Sequence, residues 1–377
     1  MIRFLSKADS KRLKGAALVR LDFNTEDDWR IKAAIPTLKF LLRSASKIVV
    51  IGHKGRPAPA TVKNGKLVRF DRALSLRRDA AEVRRELGRD IRFIPHFDFK
   101  KIKEEIAAAP RKSIFVLENM RFLKGESTPR PELAKKLASL ADYYVNDAFA
   151  VSHRSDDSVA KVERFLPSYG GLELERELKS LSHVLDAPKR PLVVILGGGK
   201  ASDKLGIIKN LRRKADVFLL GGAIANTLLF LSGMNVKDSV RDSNAKDLKN
   251  DKPMLGYRNI RLPKDFVWSG RKIFDIGTTT AEAYEKEIAN AKTVLWNGPV
   301  GLFEKKPYDR GTLALARAIV KNKKAYTLAG GGETVMFLKK HKLDKKFSFI
   351  STGGGAMLEF LAGEKLPGIE ALKYGKR

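Results

Sequence analysis

Short runs of aliphatic and β-branched residues alternate with longer segments of helical periodicity along most of this chain. In the first half, the runs predict strands at residues 17–21, 47–51, 114–117 and 143–146. The segments at 31–42 and 132–140 carry apolar residues at helical spacing, and Pro36 is expected to disturb the first of them. Repeated strand-helix-strand order predicts a parallel sheet with helices on both faces.

The same rhythm restarts after a helical pattern at 172–184. Here the predicted strands are 192–196, 217–220, 293–296, 325–328 and 347–351. Because 377 residues exceed what one hydrophobic core usually supports, two domains are favoured over one. The predicted fold class is therefore α/β, with two doubly wound, Rossmann-like parallel-sheet lobes. In such sheets ligands bind beyond the carboxyl ends of the strands.

The net charge of +31 is spread evenly, with +15 through Asp156 and +16 beyond it. Such a charge favours an anionic substrate or a polyanionic partner. No arginine-rich segment interleaved with aromatic residues is present, so a dedicated nucleic-acid partner is not predicted. The absence of cysteine excludes disulfides and thiolate chemistry. Without a signal-peptide pattern or a long apolar run, a soluble cytoplasmic protein with no membrane partner is expected.

Polar and cationic residues follow the predicted strands of the first half. They are Asp22, Asn24, Arg30, His53, Arg56, Arg121, His153 and Arg154. Guanidinium groups suit carboxylate and phosphate, and histidine can add a charged or a neutral donor. One arginine in so basic a chain can equally form a surface ion pair. Arginines at successive strand ends, however, predict an anion pocket.

Glycine-rich loops follow the strands of the second half. The loop from Gly197 through Gly198 to Lys200 opens a helical pattern containing Lys204, an arrangement that directs backbone N–H groups at an anion. It lacks the full spacing of a Walker A loop or a dinucleotide fingerprint. Further glycine-rich strand ends occur at Gly221 and Gly222, at 297–304, at Gly330, Gly331 and Gly332, and at 353–355. Several such loops at one sheet edge predict a bound nucleotide, with Glu304 able to hold a ribose hydroxyl and Glu333 a Mg²⁺ ion.

The ordered series of motifs resembles the phosphoglycerate kinase family along nearly the whole chain. The motifs are Arg-Leu-Asp-Phe-Asn at 20–24, Leu-Glu-Asn-Met-Arg-Phe at 117–122, Trp-Asn-Gly-Pro at 296–299 and Ser-Thr-Gly-Gly-Gly-Ala at 351–356. The resemblance implies an amino-terminal lobe of residues 1–156 plus about 363–377 that binds 3-phosphoglycerate. It implies a second lobe, residues 157–362, that binds Mg-nucleotide, and a hinge that closes the two.

The resemblance further implies a monomer that transfers a phosphoryl group reversibly from 1,3-bisphosphoglycerate to ADP in glycolysis and gluconeogenesis, giving 3-phosphoglycerate and ATP. The implied glycerate-binding residues are Asp22, Asn24, Arg30, His53, Arg56, Arg121 and Arg154. The implied catalytic groups are Arg30, Lys200 and the backbone N–H groups of Gly331 and Gly332. The implied nucleotide contacts are Gly197, Gly198, Lys200, Lys204, Gly221, Gly222, Asn297, Glu304, Gly330, Gly331, Gly332 and Thr334, with Glu333 at Mg²⁺.

Several residues depart from the family pattern. Lys54 replaces an apolar residue, Asp156 a second histidine and Glu333 an aspartate, while the loop between Asn24 and Arg30 is short. Ala223 and Asn226 replace a glycine and an aromatic residue. Two alternatives stay open: a catalytically weakened relative that binds polyanions, and a nicotinamide-dependent dehydrogenase. The filled catalytic positions disfavour the first, and the missing glycine fingerprint disfavours the second.

Overall fold

The computed structural model describes residues 1–25, 28–128, 131–244, 248–249 and 252–376. The chain forms two compact units. Unit 1 comprises Met1–Leu178 and Lys365–Arg377, and unit 2 comprises Lys179–Glu364. Each unit has a six-stranded sheet in which every pairing is parallel, so the predicted α/β class with two parallel-sheet lobes is confirmed.

Unit 1 contains the predicted basic loops. Its strands are β1 (Ala17–Arg20), β2 (Ile48–Ile51), β3 (Thr61–Lys63), β4 (Lys66–Arg69), β5 (Arg92–Ile94), β6 (Ile114–Leu117), β7 (Tyr143–Asn146) and β8 (Ser168–Gly170). Its helices are α1 (Trp29–Ser44), α2 (Arg77–Leu87), α3 (Phe99–Ala108), α4 (Glu132–Ala138) and α5 (Asp157–Ala160), followed by α6 (Leu172–Asp186), which ends in unit 2. Strands β3 and β4 form a separate antiparallel pair.

Both faces of the first sheet are covered by helices. Successive residues of a strand point to opposite faces: Val19 of β1 packs in a cluster with Leu38 of α1, whereas Leu18 packs in a cluster with Ile102 of α3. The strand order is β5-β6-β2-β1-β7-β8. The order of the chain therefore reverses between β1 and β7, and this is where a doubly wound sheet opens a crevice for ligands.

Unit 2 repeats this plan. Its strands are β9 (Leu192–Leu196), β10 (Val217–Leu220), β11 (Ile260–Arg261), β12 (Phe266–Ser269), β13 (Lys272–Ile276), β14 (Thr293–Asn297), β15 (Tyr326–Gly330) and β16 (Phe349–Ile350). Its helices are α7 (Ser202–Leu211), α8 (Gly222–Leu231), α9 (Thr278–Asn290), α10 (Arg310–Lys321), α11 (Gly332–Lys340) and α12 (Gly355–Leu361). A last helix, α13 (Pro367–Tyr374), belongs to unit 1.

The second sheet has the order β11-β10-β9-β14-β15-β16, so its reversal lies between β9 and β14. Val193 and Ile195 of β9 share a core with Leu315 of α10. Strands β12 and β13 form an antiparallel ribbon outside this sheet. The reversal places the loop after β9 beside the loop after β14.

The division between the units differs from the boundary predicted at 156/157. Residues 157–178 belong to unit 1, because β8 pairs with β7 and completes the first sheet. The sequence analysis did not predict this short strand. The return of the chain to unit 1 begins at Lys365, near the predicted position of about 363.

Helix α1 continues through Pro36, where a disturbance was expected. Pro36 is exposed, while Ile31, Ile35 and Leu38 are buried at helical spacing. The packing of this apolar face outweighs the backbone hydrogen bond that proline cannot donate.

Candidate active site

The predicted glycerate residues lie at the carboxyl edge of the first sheet, in its loops and, for Arg30, in the first turn of α1. Asp22, Asn24 and Arg30 form one connected group next to β1. Arg30 Nη1 donates to Asp22 Oδ2 at 2.6 Å and to the Asn24 carbonyl at 2.9 Å. The Asn24 backbone N–H donates to Asp22 Oδ1 at 3.0 Å. The position of Arg30 is therefore set by Asp22 despite the short loop, of which residues 26–27 lie outside the described part.

Asn24 also connects this group to the loop after β2. Its side-chain Oδ1 accepts a hydrogen bond from the Gly55 backbone N–H at 2.9 Å, which holds the His53–Arg56 loop next to β1. Arg56 itself is exposed and forms no ion pair within the described residues. Its charge nevertheless acts on Arg154, whose pKa is lowered by burial first and then by Arg121 and Arg56. The arginines of these loops thus form one crowded group of cations.

His53 is fully buried in this group. Its Nδ1 lies 2.6 Å from Nη2 of Arg20, and its Nε2 is buried without a hydrogen-bond partner. Burial, and then the charges of Arg20, Arg121 and other neighbouring cations, lower the pKa of His53 well below its ordinary value. Burial also lowers the pKa of His153. Of the two options left open for these histidines, the structure favours neutral donors at pH 7.

The Asp156 side chain takes part in this basic group. Arg121 Nη2 donates to Asp156 Oδ2 at 2.6 Å, and Ser127 Oγ donates to Asp156 Oδ1 at 3.2 Å. Arg154, in contrast, forms no ion pair within the described residues, and its Nε is buried without a partner. The departure at Asp156 therefore places a negative charge directly on one of the predicted substrate-binding arginines.

The departure at Lys54 has a structural partner. Lys54 Nζ donates to both oxygens of Asp79, at 2.9 and 3.1 Å, and Asp79 is nearly buried in α2. The carboxylate neutralises the extra ammonium group, so Lys54 adds no net charge to the pocket. Sequence analysis missed this pair because its members lie on different elements.

Asn119 and Arg20 are two further residues that the sequence analysis did not single out. Asn119 Nδ2 donates to the carbonyls of Lys54 and Leu74, and its Oδ1 accepts from the Arg121 backbone N–H. It thereby ties the loop after β6 to the loop after β2. Arg20 is a charged residue in an otherwise apolar strand, and that contrast was the signal available in the sequence.

The second predicted site lies at the carboxyl edge of the second sheet and is built mostly from backbone. A cavity of about 580 Å³ opens among the glycine loops at the starts of α7, α11 and α12. Its lining includes Gly197, Gly198, Lys200, Lys204, Asn297, Gly331, Gly332, Glu333 and Thr334. Helix starts with unpaired N–H groups are suited to phosphate.

Glycine is required at two contacts of this cavity. Gly331 caps α11 with φ of +93°, and a Cβ there would stand 2.9 Å from Nδ2 of Asn297. Gly222 has φ of +57°, and a Cβ there would stand 2.6 Å from the Gly198 carbonyl oxygen. Gly221 is the N-cap of α8, and Gly330 ends β15. Small residues therefore let the loops and helix starts approach one another closely.

Lys204 and Asn297 act as a pair. Lys204 Nζ donates to Asn297 Oδ1, and Asn297 Nδ2 donates to the Gly330 carbonyl at 3.0 Å. Burial lowers the pKa of Lys204 to about 8. Thr334 is also engaged, since its Oγ1 accepts from the Gly298 backbone N–H at 2.8 Å. Asn297 and Thr334 thus position the loops, while Lys204 supplies a desolvated cation.

Lys200, Glu304 and Glu333 are exposed, and they form no ion pair within the described residues. Glu333 lies in the first turn of α11, with Oε2 about 3.5 Å from where a Cβ of Gly198 would stand. Glu304 lines a second, adjoining cavity of about 190 Å³ together with Gly222, Ala223 and Asn226, and this cavity shares Gly198 and Glu333 with the first. The linings of these two cavities do not include Gly221. These charged side chains remain available to a ligand.

Within the described residues, the group of three acids close enough to share a metal is Asp28, Glu82 and Glu86, whose oxygens lie within 4.8 Å of one another. Lys32 and Arg85 form ion pairs with this group, which therefore has its own counter-charges. Glu333 lies outside it.

In the described part of the chain, every helix is too short or too polar to cross a bilayer.

Comparisons with known proteins agree with this geometry. The family model described as phosphoglycerate kinase matches residues 9–364. A phosphoglycerate kinase of Dictyoglomus turgidum is 38% identical over 391 residues, covering 96% of each chain. One of Thermus thermophilus is 38% identical over 387 residues, covering 94% of this chain and 96% of the relative. The solved phosphoglycerate kinase structure from Coxiella burnetii covers 99% of each chain, with a TM-score of 0.82 and 31% identity.

With these relatives, the two doubly wound sheets, one edged by cationic side chains and one by glycine loops, are those of a two-lobed phosphotransferase. The chain belongs to the phosphoglycerate kinase family, whose acceptor is a carboxyl group. None of these comparisons favours the alternative of a weakened, polyanion-binding relative.

Proposed function

We propose that the basic loops of unit 1 bind 3-phosphoglycerate and 1,3-bisphosphoglycerate. The observation that carries this proposal is the convergence of Arg30, Arg56, Arg121, Arg154 and His53 at one sheet edge. The substrate carries a carboxylate and a phosphate, and planar guanidinium groups recognise both. Asp22 and Asn24 set the position of Arg30 and offer acceptors for the substrate hydroxyl.

Unit 2 binds ADP or ATP in this proposal. The helix starts at Gly198, Gly331 and Gly332 receive the phosphates, and Lys204 neutralises them. A phosphate beside Lys204 would raise its pKa again and restore its full charge. Glu304, in the neighbouring cavity, is placed to hold a ribose hydroxyl.

The proposed reaction moves the phosphoryl group of the acyl phosphate to the terminal oxygen of ADP, releasing the carboxylate of 3-phosphoglycerate. In the reverse direction that carboxylate attacks the γ-phosphorus of ATP, and ADP leaves. No general base is needed, because the attacking carboxylate is already ionised. Lys200, Arg30 and the N–H groups of Gly331 and Gly332 stabilise the charge on the transferring group. Transfer requires the two bound substrates to meet, and hinge closure is the proposed means.

Glu333 is the proposed protein ligand for the Mg²⁺ of the nucleotide. It fits this task, because Mg²⁺ is usually bound by one or two carboxylates together with substrate phosphates and water. The carboxylate is exposed at the glycine loops and forms no ion pair within the described residues, and its charge acts on Lys204. When bound, the metal would neutralise charge on the nucleotide phosphates.

The length of Glu333 gives a test of this metal assignment. Mg²⁺ demands stricter geometry than Mn²⁺, so the wild-type Mn²⁺-to-Mg²⁺ ratio of kcat/KM should be about two- to fivefold higher than that of Glu333→Asp. Equal ratios in the two proteins would contradict the geometric argument. Full activity of Glu333→Ala with both ions would remove Glu333 from the metal site.

A coupled assay with 3-phosphoglycerate and ATP tests the activity as a whole. Turnover that depends on both substrates is expected, with KM for 3-phosphoglycerate rising with ionic strength. RNA at physiological salt should not compete; sub-micromolar RNA binding there would instead favour the polyanion-binding alternative. The enzyme is further proposed to work as a cytoplasmic monomer in glycolysis, and sedimentation analysis checks its oligomeric state.

A further inference from the structure

Arg20 is the last residue of β1 and is fully buried. Its Nε donates to Ser158 Oγ at 3.0 Å, its Nη1 donates to the Leu21 carbonyl, and its Nη2 lies 2.6 Å from Nδ1 of His53. Ser158 Oγ in turn donates to Glu126, a buried acid whose charge interacts with Arg20. The guanidinium is therefore held on three sides, and one of its N–H groups points at the His53 ring.

The chemistry of the two side chains decides the state of His53. Arginine carries only donors and stays protonated, so the contact at Nδ1 requires an Nδ1 that has no hydrogen and accepts. A neutral imidazole then has its single hydrogen on Nε2. Nε2 is buried and has no protein partner. The remaining N–H of His53 is thus a buried donor that lacks an acceptor.

We propose that Arg20 is a positioning residue that fixes His53 as a neutral Nε2–H donor for an oxyanion of the glycerate substrate. The identity of that oxyanion rests on the proposed function. The tautomer does not, because it follows from the contact between Arg20 and His53 alone.

The other groups that face His53 support the same state. They are Arg121, Arg154 and His153, and each of them lowers the pKa of His53. Protonating His53 would add a charge to a group of cations and would break the Arg20 contact. Substrate binding through His53 should therefore stay constant from about pH 5 to pH 8, a range in which an ordinary histidine changes its charge.

The wild-type protein gives the direct test. ¹⁵N spectra of the ligand-free protein should show His53 as the neutral Nε2–H tautomer without titration between pH 5 and pH 8. Adding 3-phosphoglycerate should shift the Nε2–H signal. An Nδ1–H tautomer, or an imidazolium that forms with a midpoint near pH 6.5, would overturn the proposal.

Variants separate positioning from mere structural support. Arg20→Met removes the contact that fixes the tautomer and the first of the neighbouring charges that lower the pKa of His53. KM for 3-phosphoglycerate should therefore rise about tenfold at pH 8, and the rise should become smaller as the pH falls. The substrate phosphate also titrates near pH 6, so each profile is read as a ratio to wild type. Arg20→Lys, which keeps a charged donor, should restore the wild-type profile.

Ser158→Ala is the matched control. It removes the other side-chain partner of Arg20 but leaves the His53 contact in place, so its pH profile should follow that of wild type. An Arg20→Met profile parallel to wild type would overturn the positioning role. If the wild-type spectra show the Nε2–H tautomer but the protein does not turn over 3-phosphoglycerate and ATP, the proposed function fails while the Arg20–His53 contact stands.

Discussion

The two sheet edges handle anions in different ways. The edge of unit 1 presents charged side chains, and buried or half-buried acids set their positions: Asp22 holds Arg30 and Asp156 holds Arg121. The edge of unit 2 presents backbone N–H groups at glycine-rich helix starts, with Lys204 buried and Lys200 exposed. The first edge therefore gains specificity from ion pairs that fix geometry. The second gains close approach from residues without side chains.

Both units contain buried acids whose pKa is raised by burial. In unit 1 the pKa values of Glu126 and Glu173 rise to about 7, and those of Asp147 and Glu163 to about 8. In unit 2 the pKa of Asp275 rises to about 7. These groups couple the stability of the fold to pH.

Lys200→Ala should show the largest effect, because Lys200 is the exposed cation at the nucleotide edge. Removing a charge that acts on the transferring group should lower kcat about 10²- to 10³-fold while changing nucleotide affinity little. Steady-state kinetics with a separate nucleotide-binding measurement checks this. Lys209→Ala, an exposed lysine on the same helix α7, is the control and should be active. A kcat close to wild type for Lys200→Ala would contradict the proposed action of the Lys200 charge on the transferring group.

Glu163 tests the pH coupling of unit 1. Both of its carboxyl oxygens are buried without a partner, and burial raises its pKa from 4.5 to about 8. The folded protein therefore holds a proton that the unfolded chain releases. The stability from this proton is complete below about pH 4.5 and is lost as the pH rises through about 8.

Glu163→Gln should remove this dependence. Between pH 5 and pH 9, wild type should lose stability relative to the variant, by an amount on the order of a few kcal/mol. Denaturant unfolding at each pH measures the difference. Glu104→Gln, which changes an exposed residue of α3, should give a curve parallel to wild type. A constant gap between wild type and Glu163→Gln would show that Glu163 is ionised in the folded state.

Gly331→Ala tests the backbone edge of unit 2. A methyl group there would clash with Asn297 and strain a residue whose φ is +93°, so KM for ATP should rise about tenfold. Gly233→Ala is the matched control, because Gly233 has φ of +95° but open space around its Cβ position. Both variants should lose about 1 kcal/mol of stability from backbone strain. Equal KM values for ATP in the two variants would argue against a phosphate site at Gly331.

Asp156→Asn should give the smallest effect and sharpens the account of unit 1. The change keeps the shape of the side chain but releases the charge of Arg121, so KM for 3-phosphoglycerate should fall about two- to fivefold. Ser127→Ala, which removes the other hydrogen bond to Asp156, is the control for local disturbance. A rise in KM would mean that Asp156 matters mainly by holding Arg121 in place.

The sequence was sufficient to predict most strands of the two sheets, their parallel pairing and the loops that carry the two sites. This was possible because burial on both faces leaves continuous apolar runs, and because the ends of parallel strands meet at one edge. It did not predict β5, β8 and β11, which are edge strands of two or three residues. Short strands of this kind are stabilised mainly by their neighbours.

Tertiary structure alone decided the states of the site residues. Asp156 meets Arg121 and Asp79 meets Lys54 across separate elements, so no spacing in the sequence announces either ion pair. The pKa of His53 is lowered by burial and then by the charge of Arg20, and both desolvation and nearby charges are properties of the folded interior. The order of residues along the chain therefore determines which groups reach each edge, and packing determines their charge and direction.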